Sequence, residues 1–465
     1  LYVRLALGPL ATEGSGRPRF PVSFNKEVVM SRLIAVAGHV GACAVLLLFF
    51  GPVANALPSF ARQTGLACAE CHTVFPQLTP LGREFKLRGY LLSQASQGNV
   101  AYPMDQYPPV SIMLQADYTS TRKKQPGTQN GNVEFPDQLS LFYAGRISGK
   151  LGAFLQTTYS GPDDEFSMDN ADVRFADVTA NTDLLYGFTL NNNPTVQDAW
   201  GSTPAWGYPF ASSSVAPEPI AGTQIDGALG QQVAGLGAYA LWNEQIYGEL
   251  SFYRDAQIGG SQPPDGDREN TVDGNAPYAR FAWQNRWNSN ALEVGALAFC
   301  THIFPTGVTG KTNYFRDIGV DTQYQYLADN HTLTAHALYI QEKQERDADF
   351  AAGDSAHSSL DLSTFKADAT YYFQRKYGGS LAYFRTQGDR DPLLYAPEAV
   401  TGSRTGKPDT QGWTAEFDYV PWPNTKLALQ YTGYCKFNGS SSNYDGAGRD
   451  AGDNGTLFLL GWVAY

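Results

Sequence analysis

Trp413-Thr414-Ala415-Glu416-Phe417-Asp418-Tyr419 sets apolar or aromatic side chains at every second position and polar ones between them. A period of two puts the first set on one face of a β-strand and the second set on the other. The pattern recurs along the chain. Ile318, Val320, Tyr324 and Tyr326 oppose Asp321, Gln323 and Gln325; Phe365, Ala367, Ala369, Tyr371 and Phe373 oppose Lys366, Asp368 and Thr370; Leu427, Leu429 and Tyr431 oppose Lys426, Gln430 and Thr432. Segments of about ten residues with this period match a membrane-spanning β-strand, one face suited to lipid and the other to water.

The connections alternate as well. Short turns at Ser148-Gly149-Lys150, Trp242-Asn243-Glu244, Asn288-Ser289-Asn290, Ala328-Asp329-Asn330 and Pro421-Trp422-Pro423 are interleaved with long polar loops. The loops run near residues 121–136, 161–169, 191–229, 256–277, 343–358, 387–409 and 438–453. A soluble sandwich has no reason to alternate in this way, whereas an outer-membrane barrel keeps short turns in the periplasm and long loops outside. Counting between them gives about sixteen strands, an even number as such barrels require. The chain closes on Leu457-Phe458-Leu459-Leu460-Gly461-Trp462-Val463-Ala464-Tyr465, apolar at most alternate positions back from the end, which resembles an outer-membrane insertion signal. A soluble β-sandwich with an aromatic end is the competing reading. The expected fold is mainly β, an outer-membrane antiparallel barrel over residues 108–465 with both ends in the periplasm. That loop 191–229 folds inward is an expectation by analogy with porins alone.

Composition agrees: 27 Tyr, 26 Phe and 8 Trp against 4 Met suit strands. A net charge of −12 argues against a nucleic-acid partner, which needs a basic face, and favours cations. Met30-Ser31-Arg32 opens a basic start, Leu33 to Phe50 is an apolar run, and Val53-Ala54-Asn55-Ala56 supplies a small-x-small cleavage site. Residues 1–29 therefore read as an upstream extension and residues 30–56 as a signal peptide, with the mature chain starting at Leu57. An uncleaved anchor is the alternative, for which the run is short. Past Leu57 no stretch is long enough for a transmembrane helix. Cys43 leaves with the signal, and Cys300 and Cys435 build no disulfide framework.

The remaining cysteines lie in Cys68-Ala69-Glu70-Cys71-His72. Two thiols one helical turn apart can each add to a haem vinyl group, and the adjacent His reaches the iron as proximal ligand. A thioredoxin-like pair would expect a βαβ surround, and half a zinc site would expect a second ligand pair nearby; neither pattern is present. Chance is the third alternative. The motif thus points to one covalently attached haem c on Cys68, Cys71 and His72. Thr79-Pro80 makes an N-cap and N1 pair for a short helix through Leu81, Phe85, Leu87 and Arg88 to Gly89. Arg62 and Arg83 are candidates for contacts with the haem propionates, and a solvated basic face is the other reading. Residues 57–107 are too few to bury much surface alone, so this small α-helical cytochrome c domain should plug or abut the barrel.

Parity bears on the second axial ligand. Val110, Ile112, Leu114 and Ala116 should face lipid, which turns Ser111, Met113, Gln115 and Asp117 to the lumen. A thioether in a polar row is out of place unless something apolar sits there. Met113 is the favoured distal ligand, with Met104 behind it and simple packing as the alternative. Acidic groups in the outer loops, Asp163, Asp164, Glu165 and Asp169 foremost, suit hard divalent cations and could concentrate ferrous iron. Acidic loops also serve solubility or bridge lipopolysaccharide.

Phe60-Ala61-Arg62-Gln63-Thr64-Gly65 through Cys68 to His72, then Pro76-x-Leu78-Thr79, Gly82-Arg83 and Phe85-Lys86 to Gly89-Tyr90, resembles the fused outer-membrane cytochrome-porins of iron-oxidising bacteria. The resemblance continues at Asn191-Asn192-Asn193-Pro194-Thr195 and Asp198 and spans the mature chain, with the barrel match looser than the haem segment. It implies an iron oxidase: extracellular Fe(II) gives an electron through the haem to a periplasmic cytochrome or copper protein. The residues alone reach only an electron-carrying haem beside a barrel. A general electron conduit for another donor or acceptor, or a diffusion porin with a structural haem plug, are the alternatives.

Overall fold

Alternation governs the strand that opens the barrel. In Val110–Thr121 the residues Ser111, Met113, Gln115, Asp117, Thr119 and Thr121 are buried, while Ile112 is exposed. The computed structural model describes residues 59–92, 109–181, 183–256 and 271–465. The expected extension and signal peptide, Met104 and the expected boundary at residues 107–108 lie outside the described residues.

A short segment precedes the barrel: α1 (Ser59–Thr64), α2 (Cys68–Cys71), the strand pair β1 (His72–Val74) and β2 (Gln77–Leu78), and α3 (Pro80–Leu87). Then follow β3 (Val110–Thr121), β4 (Asn132–Ser148), β5 (Leu151–Ser160), β6 (Glu165–Val178), β7 (Leu184–Asn191), β8 (Val233–Trp242) and β9 (Ile246–Asp255). The second half holds β10 (Thr271–Val272), β11 (Ala276–Trp287), β12 (Asn290–Phe304), β13 (Asn313–Leu327), β14 (His331–Glu345) and α4 (Asp347–Ala352). It ends with β15 (Ser359–Phe373), β16 (Tyr377–Gly388), β17 (Thr410–Trp422), β18 (Thr425–Lys436) and β19 (Thr456–Ala464).

Each long strand pairs antiparallel with its sequence neighbour, and β19 returns to β3 from Thr456↔Thr121 to Ala464↔Met113. The two-residue β10 lies on the end of β12, so β9 pairs directly with β11 and sixteen full strands close the wall. Closure leaves no open edge, the condition for a sheet to satisfy its backbone in lipid. Leu141, Leu190, Leu236, Phe252, Phe281, Ile318, Val320, Leu381 and Phe417 stand exposed on the outer face. So large an apolar belt is unfavourable in water and matches lipid.

One end carries short turns and the other carries long loops. The expected loop at residues 161–169 is instead a turn of residues 161–164, with Ser160 paired to Glu165. Its acidic residues tighten it, because Asp163 accepts from Ser160 Oγ (2.7 Å) and Asp164 from Tyr159 Oη (2.6 Å). A loop at residues 305–312, the connection between β6 and β7 and a turn at 374–376 complete the alternation.

Loop 192–232 folds into the lumen. Trp200 Nε1 donates to Gln284 Oε1 (3.0 Å), Ser202 Oγ to Asp321 Oδ1 (2.7 Å), and the Ile225 amide to Asp317 Oδ2 (2.8 Å). Gln430 Nε2 donates to the Ala211 carbonyl (3.0 Å), and Thr119 Oγ1 to Ser213 Oγ (2.8 Å), so the loop is fastened to strands on several sides of the wall. Its buried Asp198 faces Arg280, which also meets Glu293 (3.1 Å) and Asp321 (2.7 Å). The described residues from Ser59 to Tyr465 fall in one compact unit, so the N-terminal segment and the barrel share a core.

Candidate functional site

The N-terminal segment is held together locally by capping. Thr79 Oγ1 accepts from the Gly82 amide (3.2 Å), Pro80 takes the first helical position, and Gly89 turns the chain away in the left-handed region (φ 72°). Thr79 also ties α3 to α2, since its amide donates to the Cys71 carbonyl (2.9 Å). Gly82 is required there, because a Cβ would collide with that same carbonyl. The two helices therefore pack back to back with Cys68, Cys71 and His72 fixed relative to Phe85 and Lys86.

Wall residues hold the segment inside the lumen as a plug. Ser59 Oγ (2.5 Å) and Gln63 Nε2 (2.9 Å) donate to the Ala144 carbonyl, and Arg62 donates to that of Val110. Tyr90 Oη donates to Asp172 Oδ2 (2.6 Å), and Tyr239 Oη to the Leu87 carbonyl (2.7 Å). Arg83, 2% exposed, reaches Gln323 Oε1 (2.7 Å) and Gln325 Oε1 (2.6 Å) on β13. Lys86 Nζ donates to the Val196 and Asp198 carbonyls (both 2.7 Å) and stands 4.6 Å from the centre of the Trp206 ring, joining plug to inward loop. A Cβ on wall residue Gly152 would strike the Gly89 carbonyl, so a glycine in β5 lets the plug backbone approach.

Beside the plug lies a cavity of about 920 Å³, in the range of about 300–1,000 Å³ that holds cofactors. Cys68, Cys71 and His72 line it, and so do Met113 and Gln115 of β3, Phe142 of β4, Phe154 of β5 and Trp462 of β19. Both motif thiols are free rather than disulfide-bonded. Burial raises Cys68 and pushes Cys71 up to about 11, the latter helped by Glu70. Burial pushes the His72 imidazole down to about 4, against a smaller opposing pull from the Gln77 and Pro76 backbone. Among the described residues its buried Nδ1 has no hydrogen-bond partner. The ring packs on Phe75 (4.2 Å between centroids), which packs in turn on Trp462 (5.3 Å). Two free thiols one helical turn apart, a buried neutral imidazole and an aromatic cavity form a donor set that suits a covalently attached haem.

Met113 faces the lumen as parity required, 8% exposed and lining the same cavity as His72, with Gln115 Nε2 3.7 Å from its sulfur. The arginines go elsewhere. Neither Arg62 nor Arg83 lines the cavity; their guanidinium groups are turned to backbone and glutamine acceptors that seat the plug. The acidic group is also divided. Asp163, Asp164 and Glu165 are exposed on the 161–164 turn or beside it, whereas Asp169 lines the cavity and accepts from Ser167, Gln156 and Gln231. Among the described residues no three His, Cys, Asp or Glu side chains are arranged to hold a metal ion. Sequence reasoning missed the aromatic lining, although Phe142, Phe154 and Trp462 break the polar parity of the lumen face just as Met113 does.

The chain matches no known family model and no curated protein sequence. Among solved structures it is similar to the anion-selective porin from Comamonas acidovorans at 13% identity and a TM-score of 0.47, covering 77% of this chain and 98% of that one. It is also similar to in-vitro folded OmpT, an outer membrane protein of Vibrio cholerae, at 9% identity and a TM-score of 0.42, over 77% and 96% of the two chains. Salmonella typhi OmpF, solved in complex with daunomycin, stands at 12% identity and a TM-score of 0.43, over 77% and 97%.

Proposed function

We propose that this chain is an outer-membrane cytochrome that oxidises extracellular Fe(II) and passes the electron through a single covalent haem to a periplasmic cytochrome or copper protein. The observation that carries it is the meeting of Cys68, Cys71, His72 and Met113 on one aromatic cavity inside a lipid-belted barrel. Cys68 and Cys71 would hold the haem by thioether bonds, His72 as proximal ligand and Met113 as distal ligand. Bound there, the haem supplies a one-electron redox centre. Phe75, Phe142, Phe154 and Trp462 would keep water from a group held in the cavity, and the plug's ties to the wall would fix Cys68, Cys71 and His72 in place.

Fe(II) is the substrate in this reading. Asp169, which lines the cavity with Asn170 and Gln231, is the carboxylate of the acidic group that a cation in the lumen would meet. The short-turn end would face the periplasm, as in bacterial barrels generally, leaving the plug on the side of the electron acceptor. Anaerobic mixing of the purified protein with ferrous iron tests the reading. Reduced haem bands within seconds are expected, and absence of reduction at every pH would remove it.

A second reading, a diffusion porin with a structural haem plug, is favoured by the barrel's strand number. It requires solute flux past the plug and inward loop, so swelling of liposomes carrying the protein in isotonic sugar would support it at the expense of the first.

A further inference from the structure

The haem reading leaves a charge problem. A haem carries two propionate carboxylates, which must either reach water or be met by cations. Four cationic residues line the cavity: Lys86, Arg375, Lys376 and Lys426. Two are committed. Lys86 Nζ is held by the Val196 and Asp198 carbonyls. Lys426 sits between Glu416 Oε1 (3.0 Å) and Asp418 Oδ1 (3.3 Å).

Arg375 and Lys376 differ. Both stand exposed in the 374–376 turn between β15 and β16, and among the described residues neither side chain has an ion-pair or hydrogen-bond partner. They border the cavity at the short-turn end, where Trp422 at the end of β17 lines it too. Two unspent cations thus sit on the rim of a cavity whose thiols and imidazole belong to another part of the chain.

We propose that Arg375 and Lys376 bind the haem propionates, so that the barrel wall grips the polar edge of the cofactor while the plug holds its iron and vinyl side. This rests on the haem reading above. The arginine fork suits bidentate carboxylate recognition, and the lysine supplies a point charge. Removing a cation beside a redox centre disfavours the reduced form, whose net charge is lower, and so lowers the midpoint potential.

The test uses the full-length holoprotein in detergent: redox titration of the wild type, Arg375→Gln, Lys376→Gln and the double variant, at low salt and at 1 M salt, where the Debye length is about 3 Å. The expected result is a downward shift in each single variant, a larger one in the double, persistence of the shift at high salt, and altered propionate bending bands in resonance Raman spectra. Arg375→Lys should recover part of the shift. An unchanged potential in the double variant with haem still attached would overturn the proposal, as would a shift abolished at 1 M salt, since that is the signature of distant screened charge. Wild-type protein without covalent haem would overturn this proposal and the haem reading together.

Discussion

Replacing Arg83 by Met tests whether the plug is seated by specific hydrogen bonds rather than by shape. Methionine keeps most of the apolar stem but removes the guanidinium that lies 2.7 Å from Gln323 Oε1, 2.6 Å from Gln325 Oε1 and 3.2 Å from the Leu78 carbonyl. Two amide oxygens of β13 then lose their donor inside the lumen. Each stranded acceptor costs about 1–3 kcal/mol, offset in part because a buried guanidinium no longer has to be desolvated. A net loss of about 3 kcal/mol is about 150-fold in the ratio of seated to unseated plug, at about 1.4 kcal/mol per factor of ten. Hydrogen exchange of the residue 81–90 amides in the detergent-solubilised full chain reads this ratio directly. The control is Lys343→Gln, which breaks the exposed pair with Asp361 (3.3 Å) and should change protection by no more than about 0.5 kcal/mol. Protection in Arg83→Met equal to the control would refute the anchoring role.

Lys86→Met should act on the other side of the plug. Loss of the two 2.7 Å contacts to Val196 and Asp198 loosens the inward loop by about 2–3 kcal/mol, seen as faster exchange across residues 192–206, with β13 contacts to Arg83 unaffected. Met113→Leu conserves volume and leaves the fold intact, but the holoprotein should lose its thioether-ligation spectrum and fall in midpoint potential; an unchanged spectrum would remove Met113 as ligand. In the outer loops, burial would raise the Asp391 carboxyl, but backbone donors at Leu394 and Ala356 outweigh it and hold the group well below the usual aspartate range. Its stabilisation is therefore present above the unfolded aspartate value and is lost only as pH falls through the lower folded value. Asp391→Asn should lose that pH dependence and make loops 353–358 and 389–406 more sensitive to protease at neutral pH.

Much of the barrel was legible because lipid and water impose a strict two-residue code on every strand. Trp413, Phe417 and Ile318 could face only outward once Glu416, Asp418 and Asp321 faced inward, and the structure keeps that parity. The code fails where the lumen is filled rather than wet. Phe142, Phe154 and Trp462 point inward against it because the cavity beside the plug is aromatic, and Met113 was recognised only because it broke a single polar row. The acidic stretch from Asp163 to Asp169 read as loop by composition, yet cross-strand pairing carries strand structure up to Ser160 and from Glu165. Arg62 and Arg83 were legible as cations near the motif but not as anchors, since their acceptors lie on Val110, Gln323 and Gln325, far along the chain. For the same reason nothing near the motif could point to Arg375 and Lys376.

The most direct measurement is the intact mass of the mature protein recovered from the outer membranes of a host that matures c-type cytochromes. Wild type should carry the added mass of one haem and stain for peroxidase activity after denaturation, whereas Cys68→Ala/Cys71→Ala protein should insert at the apo mass. A wild-type chain found in that membrane at its bare polypeptide mass would contradict the account.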